Sequence, residues 1–274
     1  MPEVHWLTPI AERLARAEEV ARSARQVVKE YESSGKVRVV SEKDGDEVIL
    51  RLEEKAPPPP RLPLMVGEAI HHLRSSLDNL IVLLADRSAG RRLTAKEASH
   101  LQFPITSTPD SFAKSKRRLA GLSDDYINRI EEVQPYHLLT YALGEAAGIP
   151  PEREPLAELR ELSNHDKHRR IHLVLHRASG LEVHHVDPGT SPEMELTQTT
   201  LTDGAVIARV RNVEASEVHA TVELMVEHPL NGHPLRLEAL LGRLIWMLSS
   251  EVIPHITGDR DLLGHPMSTP PLLD

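Results

Sequence analysis

The sequence contains no cysteine, and this absence excludes several kinds of chemistry at once. Disulfides, thiolate metal sites and cysteine nucleophiles all need that side chain, so a bound metal would have only nitrogen and oxygen ligands. The chain also has no apolar run near the roughly 18 residues that a membrane span needs, and residues 1–20 lack the basic-then-apolar order of a signal peptide. We therefore expect a cytoplasmic protein with no membrane partner.

Positive charge is in deficit, since the 274 residues carry a formal net charge of -9. That balance argues against broad, non-specific attraction to nucleic acid or to an anionic membrane. Two dense basic runs remain, "KSKRR" at 114–118 and "DKHRR" at 166–170, and for the first a solvated helix face is the favoured interpretation. Gly-rich phosphate loops and a Gly-x-Ser-x-Gly nucleophile elbow are both absent.

Hydrophobic periodicity predicts an α+β fold with a helical middle. Long helices are expected at about residues 7–32, 64–87, 155–170 and 234–252, with shorter ones near 94–101, 109–119 and 123–133. Alternation around Asp44-Gly45 predicts an N-terminal β-hairpin. The period of two in "IHLVLHRA", "LEVHHV", "AVIARVRN" and "VHATVELMVE" predicts an antiparallel sheet over about 171–227.

We expect these elements to form one domain over residues 1–253, with a site-bearing helical part at 64–170 and a sheet part at 171–230. The hairpin then joins or neighbours the later strands. The alternative is a helical domain at 64–170 followed by a separate sheet domain. Residues 254–274 are turn-rich and are expected to form a C-terminal tail. The long N-terminal helix and the C-terminal helix with Trp246 could serve a homodimer, although a core role is favoured for each.

A polar stripe borders the apolar face of the helix at 64–87. At about 100° per residue, His71, Arg74 and Asp78 fall together beside the leucine-rich face. Burying an arginine and an aspartate costs several kcal/mol apiece unless they are paired. Arg74 and Asp78, at i and i+4, could satisfy each other in part.

The helix at 155–170 carries a second polar group, because Asp166 falls on the same face as Leu159 and Leu162. Its carboxylate needs a cation, and Arg74 or His71 would supply one if the two helices formed the walls of one site. On this interpretation the catalytic candidates are His71, Arg74, Asp78, Asp166, Lys167 and His168. The alternative is an ion-pair network that only orients two helices.

Four ordered motifs, "HHLRSSLD", "FPI", "QPY" and "DKHR", resemble those of a widespread bacterial family whose members read H-x-L-R-x-x-L-D-H, F-P-I, Q-P-Y and D-K-H-R. The resemblance covers about residues 64–172 and implies no activity. The matching residues are His71, Arg74, Asp78, Asp166, Lys167, His168 and Arg169. The chain departs from the pattern at Asn79, where histidine is common in the family.

The lead hypothesis is a metal-independent RNase-like or phosphate-ester-directed enzyme without a cofactor. "RELSNH" distantly resembles HEPN ribonucleases, which place a histidine four to six residues after an arginine. A histidine can move a proton near neutral pH, while an arginine holds a phosphate and stabilises its developing charge. RNA or another phosphate-bearing molecule would then be the substrate, with Arg169, Arg160 and His165 as candidate binding residues.

Two alternatives belong to other classes of protein. The first is a non-enzymatic interaction or assembly module in which the polar cluster is structural. The second is a metal-dependent enzyme, suggested by three Glu-x-x-His pairs, Glu68/His71, Glu97/His100 and Glu182/His185. With 16 histidines in the chain, such pairs are expected by chance, so the spacing carries little information and we assign no metal ligands.

Overall fold

The computed structural model describes residues 5–137, 155–168, 173–183, 193–196, 201–213, 218–227 and 234–259, and it has the expected α+β fold. The helices are α1 (Thr8–Ser33), α2 (Arg61–Ala89), α3 (Ala95–Ala98), α4 (Pro109–Ser115), α5 (Asp124–Glu132), α6 (Pro155–His168), α7 (Leu237–Trp246) and α8 (Ile253–Thr257). A 3₁₀ turn at Lys116–Leu119 follows α4, and a π-helical stretch at Met247–Val252 follows α7. None of the helices in these described ranges is long and apolar enough to cross a membrane.

The strands are β1 (Val37–Asp44), β2 (Glu47–Glu54), β3 (Leu173–Val183), β4 (Glu193–Leu196), β5 (Val206–Arg211), β6 (Val218–Glu227) and β7 (Pro234–Arg236). The chain divides into two compact units. Unit 1 comprises residues 1–22, 65–171 and 239–274, and unit 2 comprises residues 23–64 and 172–238.

Unit 1 is built from helices that bury the predicted apolar stripes. The stripe of α2 is fully buried, and those of α6 and α7 are almost fully buried, so these helices form a core by ordinary side-chain packing. The stripe residues in this unit are Ile70, Leu73, Leu77, Ile81, Leu84, Leu156, Leu159, Leu162, Leu240, Leu241, Leu244, Ile245 and Leu248. Met247 is buried as well, so it serves the core.

Unit 2 contains two antiparallel sheets. The first has the strand order β1-β2-β5-β4, so the N-terminal hairpin joins a later strand as predicted, and the second has the order β3-β6-β7. The hairpin closes through Gly45-Asp46, where Asp44 pairs with Glu47 and Gly45 has a φ of 63°. A positive φ at the first turn residue is what a type II′ hairpin turn needs, and glycine adopts it without strain.

Some sequence-based boundaries need correction. The expected separate strands at 171–178 and 181–186 are one strand, β3, with a register shift between Ser179 and Leu181. Gly180 lies at that shift, and a glycine within a strand is typical of a bulge rather than a turn. The helix expected at 234–252 begins only after β7, and residues 253–257 of the expected tail are helical. The rest of the tail, residues 260–274, lies outside the described residues.

A buried ion pair links α6 to α7 within unit 1. Arg243 donates a hydrogen bond to the carboxylate of Glu158, whose side chain is fully buried, and the Arg243 side chain is only 10% exposed. Removing two charges from water costs several kcal/mol per ion, so each charge depends on the other for compensation. The pair therefore makes the packing of α7 on α6 specific to these two side chains.

We predict that Arg243→Met will lower the free energy of unfolding by about 3–5 kcal/mol, because it leaves a carboxylate buried without its cation. The double variant Glu158→Leu/Arg243→Met should regain most of that loss, since no charge then remains to be buried. Urea unfolding of the full chain measures both effects. The control is Arg22→Met, which breaks the exposed Arg22–Glu18 pair and should cost about 1 kcal/mol or less. Equal losses for Arg22→Met and Arg243→Met would contradict the prediction.

Candidate functional site

An irregular segment crosses the interior of unit 1 between α3 and α4. This FPI segment, residues 101–108, buries Phe103 completely and leaves Ile105 only 8% exposed, with Pro104 buried between them. Its residues belong to neither a helix nor a strand. A buried backbone without regular structure must find hydrogen-bond partners elsewhere, because an unpaired amide or carbonyl costs about 1–3 kcal/mol.

Two residues of the α2 polar stripe supply partners for Phe103. The Arg74 guanidinium donates to the Phe103 carbonyl oxygen at 2.5 Å and to Asp78 Oδ1 at 2.8 Å. The same Asp78 oxygen accepts a hydrogen bond from the Phe103 amide at 3.0 Å. The expected i, i+4 pair therefore forms, and it hydrogen-bonds both the carbonyl and the amide of the buried Phe103.

Gln134, from the "QPY" motif, holds the next part of the segment. Its Oε1 accepts hydrogen bonds from the Thr106 amide at 2.9 Å and the Thr106 hydroxyl at 3.1 Å. Its Nε2 donates to the carbonyl oxygens of Pro104 and Ile130, each at 3.0 Å. The side chain is fully buried, and its amide has the one acceptor and the two donor hydrogens that these contacts use.

Arg160 on α6 contacts the far end of the FPI segment. Its Nη1 lies 2.9 Å from the Ser107 hydroxyl oxygen and 3.4 Å from the Ile105 carbonyl oxygen, while its Nε donates to Glu161 at 2.7 Å. We call Arg74, Asp78, Gln134 and Arg160 the FPI clasp. Three of the four sequence motifs, and one candidate substrate-binding residue, thus meet around a single stretch of backbone.

Burial sets the electrostatics of the clasp. The Arg74 side chain is 11% exposed, and burial lowers the pKa of its guanidinium, while the charge of Asp78 acts in the opposite direction. An arginine stays protonated at neutral pH even with a lowered pKa. The Asp78 carboxylate therefore compensates a buried cation as well as binding the Phe103 amide.

The histidines of α2 lie apart from these contacts. His71 is exposed, and its Nε2 is 3.4 Å from the Ser75 hydroxyl. The His72 ring packs edge-on 5.9 Å from the His71 ring, and burial lowers the pKa of the His72 imidazole. Asn79, where the bacterial family has histidine, can accept a hydrogen bond from Arg13 Nε at 2.6 Å. Its role on this helix is therefore a contact with α1.

The other candidate residues lie toward the end of α6. The side chains of Asp166, Lys167 and His168, and the whole of Arg169, lie outside the described residues, so the expected contact of Arg74 with Asp166 stays a prediction. Arg160 and His165 are both half-buried. Arg160 and His165 are five residues apart, so a regular helix directs their side chains about 140° apart. The two side chains therefore do not share one face of α6.

The glutamates of two Glu-x-x-His pairs have other partners, and His185 of the third pair lies outside the described residues. Glu68 binds Arg16 at 2.7 Å and lies 3.8 Å from His72. Glu97 binds Arg91 and caps α3 together with Thr94, and these contacts lower the pKa of the Glu97 carboxyl to about 2. In the described ranges, no group of three or more histidine, aspartate or glutamate side chains is arranged to hold a metal ion.

Sequence reasoning missed Gln134 as a core residue, and it did not predict the contacts of Arg160 with the FPI segment. The signal for Gln134 was its place in "QPY", although a motif does not say which distant segment it contacts. The buried Glu158 was missed because it lies beside the leucine stripe of α6, where periodicity predicts no charge.

Comparison of the chain with protein-family models, with curated proteins and with solved structures found no match.

We predict that Asp78→Asn will lower the free energy of unfolding by about 1.5–3 kcal/mol, because a neutral amide oxygen can still accept both hydrogen bonds but no longer carries the charge that strengthens them and compensates the buried Arg74 cation. Gln134→Ala should cost at least about 2 kcal/mol, since it leaves several buried backbone groups unpaired. Urea unfolding measures both values, and hydrogen exchange at the Phe103 and Thr106 amides reports the local contacts.

The control for these variants is Glu12→Gln, which removes an exposed carboxylate from α1 and should change stability by less than about 0.5 kcal/mol. Asp78→Asn should speed exchange at Phe103 first, and Gln134→Ala at Thr106 first. Unchanged unfolding midpoints in both variants would contradict the structural role of the clasp.

Proposed function

We propose that this protein is a non-enzymatic interaction module of the bacterial cytoplasm, in which the FPI clasp is structural. The observation that supports this proposal best is the double use of Asp78, which compensates Arg74 and accepts the Phe103 amide through the same oxygen. A general acid or base must exchange its proton with a substrate, and a phosphate-binding arginine must offer free donors. Arg74 Nη2 and Asp78 Oδ1 are instead occupied by each other and by the Phe103 backbone.

The histidines support the same conclusion. A catalytic histidine near neutral pH needs an orienting partner and a substrate held within about 2.6–3.2 Å. His71 is exposed, and its contacts include the 3.4 Å approach of the Ser75 hydroxyl and the edge-on His72 ring. Burial lowers the pKa of the His72 imidazole, which favours its neutral form.

The RNase-like hypothesis makes the opposite prediction, and one assay separates the two. Purified protein is incubated with structured and unstructured RNA in excess EDTA, using wild type, His71→Asn and His168→Asn, and a melting curve is recorded for each. We expect no cleavage by any of the three proteins. For His71→Asn we also expect a stability change below about 0.5 kcal/mol, because the side chain is exposed.

Wild-type cleavage that falls about a hundredfold in His71→Asn or His168→Asn, with unchanged melting, would overturn the proposal and favour the RNase-like enzyme. Asp78→Asn serves as the second control, because the structural role predicts that it lowers the melting midpoint while His71→Asn does not. Cleavage at one rate in all variants identifies a contaminating nuclease, which a further purification step removes.

A further inference from the structure

The densest positive charge of the described chain lies on the turn that follows the FPI segment. Lys114, Lys116, Arg117 and Arg118 are all exposed, and we call them the basic turn. Phe112, Ser115 and Leu119 are buried between and beside them and anchor the turn to unit 1. Because the anchoring positions face the core, the four cationic side chains extend into solvent.

Most of this charge has no carboxylate to offset it. Lys116 lies 3.6 Å from Glu131 and over the Phe112 ring, whereas Lys114, Arg117 and Arg118 form no ion pair within the described residues. Elsewhere the exposed arginines Arg16, Arg91 and Arg211 each bind a glutamate. Three unpaired cations within five residues stand out in a chain with a net charge of -9.

The basic turn is also held in place. The Gln102 amide donates to the Arg118 carbonyl oxygen at 3.2 Å, one residue before the clasp grips Phe103. Thr108 caps α4 by accepting from the Ser111 amide at 3.2 Å. A surface that is ordered before binding loses less conformational freedom when a partner arrives. These bonds therefore hold the backbone that carries the cations.

We propose that the basic turn binds the phosphate backbone of double-stranded RNA. This inference rests on the proposed function, because it names the partner of a module that binds without catalysis. Lysine and arginine bind phosphates by releasing counterions from the nucleic acid, and the contact needs no base recognition. The cations span five residues, and four steps of about 1.5–2 Å give a rise of about 6–8 Å. The narrow major groove of an A-form helix brings phosphates of both strands within such a compact reach.

Single-stranded RNA fits this surface less well. Proteins that bind single strands stack the bases on exposed aromatic rings. The aromatic residues of the surrounding stretch, residues 101–137, are buried or half-buried, namely Phe103, Phe112, Tyr126 and Tyr136. B-form DNA has a major groove about 12 Å wide, which places phosphates of the two strands too far apart for one short turn.

The test is fluorescence anisotropy with a labelled 20-base-pair RNA duplex in about 50 mM salt and EDTA, using the full chain. We expect binding whose logarithmic salt slope lies near -3.6, which is about -0.9 for each of four cations. The variant Lys114→Ala/Lys116→Ala/Arg117→Ala/Arg118→Ala should bind at least tenfold more weakly. Arg117→Gln alone should reduce the slope by about one, and it tests the proposal without a large change in packing.

The matched control is Lys29→Ala/Lys36→Ala/Lys43→Ala/Lys55→Ala, which removes four exposed lysines and also changes the net charge from -9 to -13, that is, -9 minus 4. It should bind like wild type. An equal loss in the control would show that total charge, not the basic turn, governs binding, and would overturn the inference. Equal or tighter binding of a DNA duplex, of single-stranded RNA or of phosphatidylserine vesicles would overturn it as well.

The two proposals fail in different ways. Absence of duplex binding by wild type overturns the RNA inference but leaves the interaction module standing, provided that Asp78→Asn and Gln134→Ala destabilise the fold. Shortening of the labelled RNA by wild type, abolished in His71→Asn or His168→Asn, overturns the proposed function itself.

Discussion

Every buried amide and carbonyl of the FPI segment needs a hydrogen-bond partner, because no helix or sheet supplies one. The segment enters the core through Phe103, Pro104 and Ile105, and polar side chains from three other parts of the chain come in with it. Hydrogen bonding to the buried backbone therefore accounts for Arg74, Asp78 and Gln134 without any catalytic role. Arg74 has a second requirement, since its charge is buried and Asp78 must compensate it.

The buried charges of unit 1 follow the same logic at two places. Arg74 with Asp78 and Arg243 with Glu158 each combine a poorly exposed guanidinium with a carboxylate. Such pairs add little net stability compared with apolar side chains of the same size, but losing one partner is costly. A helix arrangement that separated either pair would leave a buried charge without compensation, so each pair disfavours such an arrangement. Exposed surface ion pairs, such as Arg22 with Glu18, can separate at little cost because water solvates both charges.

Much of the fold could be predicted from the sequence, because periodicity reports which face of each element is buried. The apolar stripe of α2, the Arg74–Asp78 pair and the hairpin at Gly45 all follow from local spacing. Periodicity does not report what a face is buried against. Phe103 lies 25 residues from Asp78, so no local pattern could name it as the partner. Strand β4 was missed although its sequence Glu-Met-Glu-Leu alternates polar and apolar residues, because four residues are too few for a clear period and all four side chains are exposed.

The long spacing of the clasp has a consequence for the order in which unit 1 can form during synthesis. Gln134 reaches back 28 residues to Thr106, Arg160 reaches back 55 to Ile105, and Arg243 reaches back 85 to Glu158. Contacts of this range stabilise the fold only after the chain has lost the conformational entropy of closing a long loop. A nascent chain that ends before Arg160 holds an incomplete clasp, and one that ends before Arg243 lacks the cation that compensates Glu158. The core of unit 1 is thus completed only after Arg243 has left the ribosome.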